Sequence, residues 1–250
     1  MDAPAHPGHF TTFQVREGAV RGLDLHLARL EGATRSMFGY SLDLAGLRSR
    51  IREAIAGDAA QACTVRVVVA GAQGARVQGA ADAGDAPMTR IEIEGPREPG
   101  AHALRLRSRC LQRVDPHLKH LAIAPQLDAR REAQAEGFDD ALLVDRGGLV
   151  AEGSFWNIGF GGRAGITWPV APALRGVSER LLQARLAARG VVQQAMPVRL
   201  DALGAFDFAF ATNSRGLQEI GSIDGHAFRG DPGSAAGVRA AFATIAWQVV

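Results

Sequence analysis

The chain has little cysteine, no surplus of charge of either sign and no long apolar run, and each shortage removes a class of protein. Only Cys63 and Cys110 occur in 250 residues. Both fall in apolar or mixed strand-like segments, which argues against a disulfide scaffold or a zinc site and for a reducing compartment. They read as core thiols. With 28 basic against 26 acidic residues the formal net charge is +2. The arginines are dispersed rather than massed, so nothing electrostatic points to nucleic acid or a membrane surface. No run approaches the roughly 18 apolar residues of a membrane span. Met1-Asp2-Ala3-Pro4-Ala5-His6-Pro7 lacks the basic-then-apolar pattern of a signal peptide. The expectation is a globular, cytoplasmic chain of one large or two modest domains.

No internal repeat is evident, and the periodicity alternates between helix and strand. His9–Arg16 reads as a strand leading to a turn at Glu17-Gly18. A helix opens near Asp24, whose carboxylate can cap it, and carries Leu23, Leu27, Leu30 and Met37 at helical spacing. A second helix fits Asp43 to Ala56, with Leu44, Leu47, Ile51 and Ile55 on one face. Cys63–Ala70 and Met88–Glu94 read as strands flanking a Gly/Ala-rich excursion over Gly71–Pro87. Gly95-Pro96-Arg97-Glu98-Pro99-Gly100 has the composition of a connection. The division is therefore 1–95, a 96–100 linker and 101–250. Beyond it, strands are expected at Ala103–Arg109, Asp140–Asp145, Leu149–Phe160 and Phe206–Thr212, and helices at Pro125–Gly137 and Val177–Arg189, the last stopped by Gly190. The fold class is α+β or α/β in two lobes.

Lys119 lies in Pro116-His117-Leu118-Lys119-His120-Leu121, ahead of an Ala-rich helix, and Glu152 lies in Ala151-Glu152-Gly153, 152 − 119 = 33 residues later. One amine and one carboxylate with a helix and a strand between them is the layout a pyridoxal-phosphate enzyme needs. The lysine holds an aldehyde cofactor as a Schiff base, and the acid keeps the pyridine nitrogen protonated so that the ring accepts electrons. A second cluster concerns phosphate. Leu174-Arg175-Gly176-Val177-Ser178-Glu179 puts a glycine and a hydroxyl at the mouth of a helix, where open N–H groups and the macrodipole favour a dianion. The alternative is that Ser178 only caps the helix, with Glu179 supplementing it. Arg29, near the edge of an apolar helical stripe, is either a solvated arginine or one turned into a cleft.

Together these segments resemble the class IV aminotransferases, the fold-type-IV pyridoxal-phosphate family that includes branched-chain and D-amino acid aminotransferases and aminodeoxychorismate lyase. The likeness runs from about His9 to Gly225. It is carried by Asp24-Leu25-His26-Leu27-Ala28-Arg29-Leu30, the stretch from Lys119 through Arg130-Arg131-Glu132-Ala133, Val150–Ile158, Leu174–Ser178, Thr212-Asn213-Ser214 and Ser222-Ile223-Asp224-Gly225. The resemblance implies a two-lobed fold with a small N-terminal lobe, shortened at its start, and a larger cofactor-binding lobe. It assigns Lys119 to the Schiff base and to proton transfer, Glu152 to the pyridine nitrogen, and Arg29, Val177, Ser178 and Asn213 to the cofactor phosphate. Phe10 would wall the pocket, and Arg66 would meet the substrate carboxylate unless it pairs with a surface acid. The implied cofactor is pyridoxal 5'-phosphate, the substrates an amino acid and a 2-oxo acid, and the assembly a homodimer.

Besides beginning almost at the Phe10 strand, the chain departs from relatives in two places. His120-Leu121-Ala122-Ile123-Ala124 stands where a tyrosine or asparagine often follows the lysine, and Phe155-Trp156 replaces small or hydroxyl residues after Glu-Gly-Ser. Trp156 either narrows the cleft and touches substrate or points into the core. Three functions remain open: transamination of a small amino acid, elimination of pyruvate from aminodeoxychorismate, and a non-catalytic relative that binds the cofactor. Lys119-His120-Leu121 and Asn213-Ser214 lean to the lyase branch, whereas transamination is the family's commonest chemistry.

Overall fold

The computed structural model describes residues 7–56, 61–71, 86–228, 230 and 235–250. In chain order the elements are β1 (Gly8–Arg16), β2 (Ala19–Val20), α1 (Leu23–Phe38), α2 (Leu44–Ala54), β3 (Ala62–Ala70), β4 (Met88–Glu94), β5 (Leu104–Cys110) and α3 (Ala124–Ala135). Next come β6 (Asp140–Val144), β7 (Val150–Gly153), β8 (Asn157–Gly162), β9 (Gly165–Pro169), α4 (Val177–Ala188) and β10 (Gln193–Met196). The chain ends with a 3-10 turn over Leu200–Ala205, β11 (Phe208–Asn213), β12 (Gly216–Ile223), β13 (His226–Ala227), α5 (Ala236–Ala243) and β14 (Gln248–Val249). They divide into two units. The first comprises residues 1–97, 118–123 and 246–250, and the second 98–117 and 124–245. The expected division at 96–100 therefore misses two returns to the first unit, one of which carries Lys119.

The first unit is a five-stranded sheet in the order β14-β2-β1-β3-β4. β1 and β3 pair over their whole length, Gly8 with Ala70 through Arg16 with Ala62. Period-two alternation splits this pair into two faces. Phe13, Val15, Val65, Val67 and Val69 pack with Leu23, Leu27, Leu30, Leu47 and Ile51 of the helices. Phe10, Thr12, Arg66 and Val68 lie on the other side. Asp24 does not cap α1. Gly22, at φ 68°, occupies that position without a side-chain bond, and Asp24 instead reaches Arg48 on α2 at 2.5 Å. Asp43 does cap α2, accepting from the Gly46 N–H.

The second unit holds a sheet in the order β10-β9-β8-β11-β12-β5-β6-β7, with β13 beside β12. Leu106, Leu142, Trp156, Ile158, Phe160, Ala209, Ala211 and Ile220 form one core. Trp168, Leu182, Leu186, Phe210, Val238 and Phe242 form another, against α4 and α5. Two expectations are corrected here. The segment Leu149–Phe160 is not one strand, because the Ser154 hydroxyl and the Trp156 indole both bond the buried Asp140 carboxylate. The chain turns tightly there, with the Gly153 N–H on the Trp156 carbonyl. Cys63 is buried as expected, but Cys110 ends β5 exposed. The excursion over Gly71–Pro87 falls largely outside the described residues. No helix among the described residues is long and apolar enough to cross a membrane.

Candidate active site

In the first unit β1 organises the chemistry-bearing residues. The free edge of its first residues is taken by the Lys119 segment: the Phe10 N–H donates to the Lys119 carbonyl at 2.9 Å and the Leu121 N–H to the Gly8 carbonyl at 2.8 Å. His120, which replaces the expected polar residue after the lysine, is buried and bridges His9. The Lys119 ammonium stands 4.9 Å from the centre of the Phe10 ring and the Arg66 guanidinium 4.2 Å from it. Two cations thus share one aromatic wall, each held by the negative face of a ring. Arg66 faces Glu92 across the sheet at 3.8 Å, but its buried Nε makes no hydrogen bond. The ion-pair reading of Arg66 thus has a structural counterpart in Glu92.

On the opposite face of β1, Arg29 is not a solvated arginine. It donates to the Thr11 hydroxyl and lies 3.3 Å from His26 Nδ1. Thr11 and His26 are themselves 2.7 Å apart. Burial, then the charges of Arg29 and Lys119, hold the His26 imidazole well below its usual pKa of 6.5. His9 is depressed to about 4, by burial first and Arg29 second.

In the second unit Glu152 is buried, and its carboxylate meets the equally buried Arg113 at 2.8 Å. The same oxygen accepts from the Leu174 N–H at 3.3 Å. The loop that follows leads into α4. A side chain at Gly176 would put its Cβ 2.1 Å from Asn157 Oδ1, and Asn157 is pinned by its bond to the Leu174 carbonyl. Only glycine lets the chain enter the helix this close to β8. The Ser178 hydroxyl donates to the Asn213 carbonyl at 2.6 Å and so does not cap its own helix. The Glu179 carboxylate takes the Gly176 N–H, and burial raises the Glu179 pKa against the opposing pull of Arg175. The first N–H groups of α4 have no intrahelical acceptor. Beside them Thr212 is 1% exposed with a hydroxyl that makes no hydrogen bond. By strand alternation it shares the face of Phe210, on which α4 packs.

These donors fit a phosphate: an open helix start, a glycine approach and an orphaned hydroxyl. A cleft of about 490 Å³ lies further along α4, lined by Asn157, Pro169, Arg175 and Glu179 among others but not by Glu152, Val177 or Ser178. Its Glu179, Gln183 and Gln193 bond one another or nearby groups, so they are committed internally. Trp156, weighed as a substrate contact, is 6% exposed, packs in the core and gives its N–H to Asp140.

The sequence profile described as amino-transferase class IV matches residues 8–223. The chain belongs to the class IV aminotransferases. It is therefore a pyridoxal-phosphate enzyme. No curated protein matches it by sequence. Among solved structures, a 4-amino-4-deoxychorismate lyase candidate of Legionella pneumophila is 20% identical with a TM-score of 0.80, over 93% of this chain and 89% of that one. A hypothetical aminotransferase of Mycobacterium tuberculosis in its pyridoxal-phosphate-bound form is 20% identical with a TM-score of 0.79, over 95% and 88%. The branched-chain amino acid aminotransferase of Escherichia coli is 15% identical with a TM-score of 0.83, over 97% and 85%. These likenesses establish the class IV fold, a two-lobed α+β architecture. Four residues escaped sequence reading. His26 left a faint signal, one turn before Arg29 on the same helix, and Thr212 stood in a segment of the resemblance without a role of its own; Thr11 and Arg113 left none.

Proposed function

We propose that the chain transfers an amino group between a small amino acid and a 2-oxo acid, with Lys119 as the catalytic amine. The observation that carries this is the placement of Lys119: its backbone is clipped to β1, and its ammonium rests against Phe10 alongside Arg66. Bound pyridoxal phosphate supplies an aldehyde that takes up the amino group and a ring that withdraws electrons from the substrate. Lys119 would hold that aldehyde, and its amine would carry a proton to and from the substrate α-carbon. Glu152, paired with Arg113, would accept a hydrogen bond from the protonated pyridine nitrogen. Arg29 neutralises phosphate charge, while the Val177 and Ser178 N–H groups donate to phosphate oxygens, and the Asn213 amide adds to that hold. Arg66 receives the substrate carboxylate, with Phe10 fixing the plane of its guanidinium.

A lyase acting on aminodeoxychorismate is the second reading. It is favoured by the segments Lys119-His120-Leu121 and Asn213-Ser214. The experiment is reconstitution with pyridoxal phosphate, borohydride reduction and peptide mapping, expected to leave the cofactor on Lys119 and nothing on the Lys119→Ala protein. A panel of L- and D-amino acids should then shift the near-visible band in a half-reaction. Pyruvate released from aminodeoxychorismate without an acceptor would assign the lyase instead. Lys119 is the only lysine of the chain, so a protein that takes no label, or takes it only on the N-terminal amine, would overturn both readings. Homodimer formation, a proposal from family resemblance, is tested by sedimentation of the loaded enzyme.

A further inference from the structure

We infer that Thr11 and His26 are positioning residues for Arg29, aiming its guanidinium at the cofactor phosphate without neutralising it; this rests on Arg29 being the phosphate arginine. Arginine only donates, so the 3.3 Å approach of its Nη2 to His26 Nδ1 requires a bare lone pair on that nitrogen. The single Thr11 proton then goes to Nδ1 across 2.7 Å, which turns the hydroxyl lone pairs toward the guanidinium that donates to them. The network thereby assigns the imidazole proton to Nε2. Phe13, with its ring centre 5.1 Å from that of His26, holds the imidazole plane. Thr11 is fully buried and His26 nearly so, so water does not compete for these bonds. Burial first, and then the neighbouring cations, lowers the imidazole pKa and favours its neutral form.

The chemistry of the two partners gives the device its purpose. A carboxylate would orient an arginine as well but would cancel its charge. A hydroxyl backed by a neutral imidazole fixes the direction of the guanidinium and adds no negative charge of its own. A long side chain with several rotatable bonds is thus held ready before any ligand arrives, lowering the entropic cost of binding.

The test compares pyridoxal phosphate with pyridoxal, which lacks the phosphate, by spectrophotometric titration of the purified full chain. The quantity read is the ratio of the two dissociation constants. Thr11→Val, Thr11→Ala and His26→Leu should each shrink the wild-type preference for the phosphorylated form about tenfold or more, the scale of a lost charged hydrogen bond. Affinity for pyridoxal itself should stay within about threefold, which also reports that the variants fold. Thr11→Ser, and His26→Asn with its side-chain oxygen near the lost Nδ1, should restore the preference. Equal weakening of both ligands, or an unchanged ratio, would reduce Thr11 and His26 to packing residues and overturn the inference. Arg29→Ala separates the two levels. An unchanged ratio there removes the phosphate reading and this inference with it, whereas a reduced ratio in Arg29→Ala beside an intact one in Thr11→Val sinks the inference alone.

Discussion

Replacing Arg113 by methionine should be the most damaging single change in the second unit that leaves every proposed cofactor contact in place. Arg113 and Glu152 side chains are each 7% exposed and meet at 2.8 Å. A guanidinium cannot give up its charge, so the pair is a buried ion pair. Removing one member of such a pair typically costs about 3–5 kcal/mol, because the remaining charge is left uncompensated. Arg113 also bonds the Pro116 carbonyl at 3.0 Å, which adds to the loss. For a chain of this size each kcal/mol moves the unfolding midpoint by roughly 2–4 °C, so the expected shift is about 6 °C or more. The assay is calorimetric unfolding of Arg113→Met, Glu152→Gln and the double variant, all without cofactor. In the double variant no stranded charge remains, and at least half of the stability should return. A cost below about 1 kcal/mol for Arg113→Met, or one that the second change leaves unaltered, would show that the two side chains are not coupled and that Arg113 does not maintain the acid.

Three further outcomes follow from single contacts. His9, depressed from 6.5 to about 4, binds its proton more weakly folded than unfolded. Its contribution, roughly 3 kcal/mol, is complete above about pH 6.5 and lost as the pH falls toward 4; an NMR titration showing an ordinary imidazole pKa would refute this. Gly176→Ala must displace Asn157 from 2.1 Å, which should cost about 1–3 kcal/mol and weaken cofactor binding, measured by thermal shift with and without pyridoxal phosphate. Thr212→Val removes an unbonded buried hydroxyl. The cofactor-free protein should be unchanged or stabilised by up to about 1 kcal/mol, while the loaded protein loses affinity; equal effects on both would deny the hydroxyl a ligand role.

How far the sequence exposed this arrangement depended on whether the controlling contacts were local. The helices around Leu27–Leu30 and Leu47–Ile51 and the strands Gly8–Arg16 and Ala62–Ala70 were legible because their spacing reports burial directly. Lys119 and Glu152 stood out because few residue types could perform the chemistry proposed for them. Ser154 and Trp156 broke a strand that their own pattern supports, because their partner Asp140 lies 14 and 16 residues away. Asp24 was a plausible cap on local grounds, and a left-handed glycine took its place. Arg113 was invisible, since an arginine in a connecting segment looks solvated until its acid, 39 residues on, is found. The return of Leu118–Ile123 to the first unit could not be read from composition, because backbone pairing to β1 leaves no side-chain signature.

Three consecutive residues of β1 bear on three cations, and the pleat keeps their tasks apart. Phe10 and Thr11 point to opposite faces: Phe10 walls Lys119 and Arg66, while Thr11 takes the donated bond of Arg29. Thr12 faces Arg66 across the register to β3. Because β1 is inside the sheet and bonded to β3 along its full length, these spacings belong to the strand rather than to a loop. Phe10→Leu should therefore disturb one face only. It removes the aromatic support of two cations, about 0.5–1 kcal/mol for each, and should slow borohydride-trappable loading of Lys119 and weaken carboxylate substrates. The preference for pyridoxal phosphate over pyridoxal, set on the other face by Arg29, should hold. If Phe10→Leu instead erodes that preference as strongly as Thr11→Val does, the two faces of β1 are not independent, and the strand is a support for the pocket rather than the element that sorts its charges.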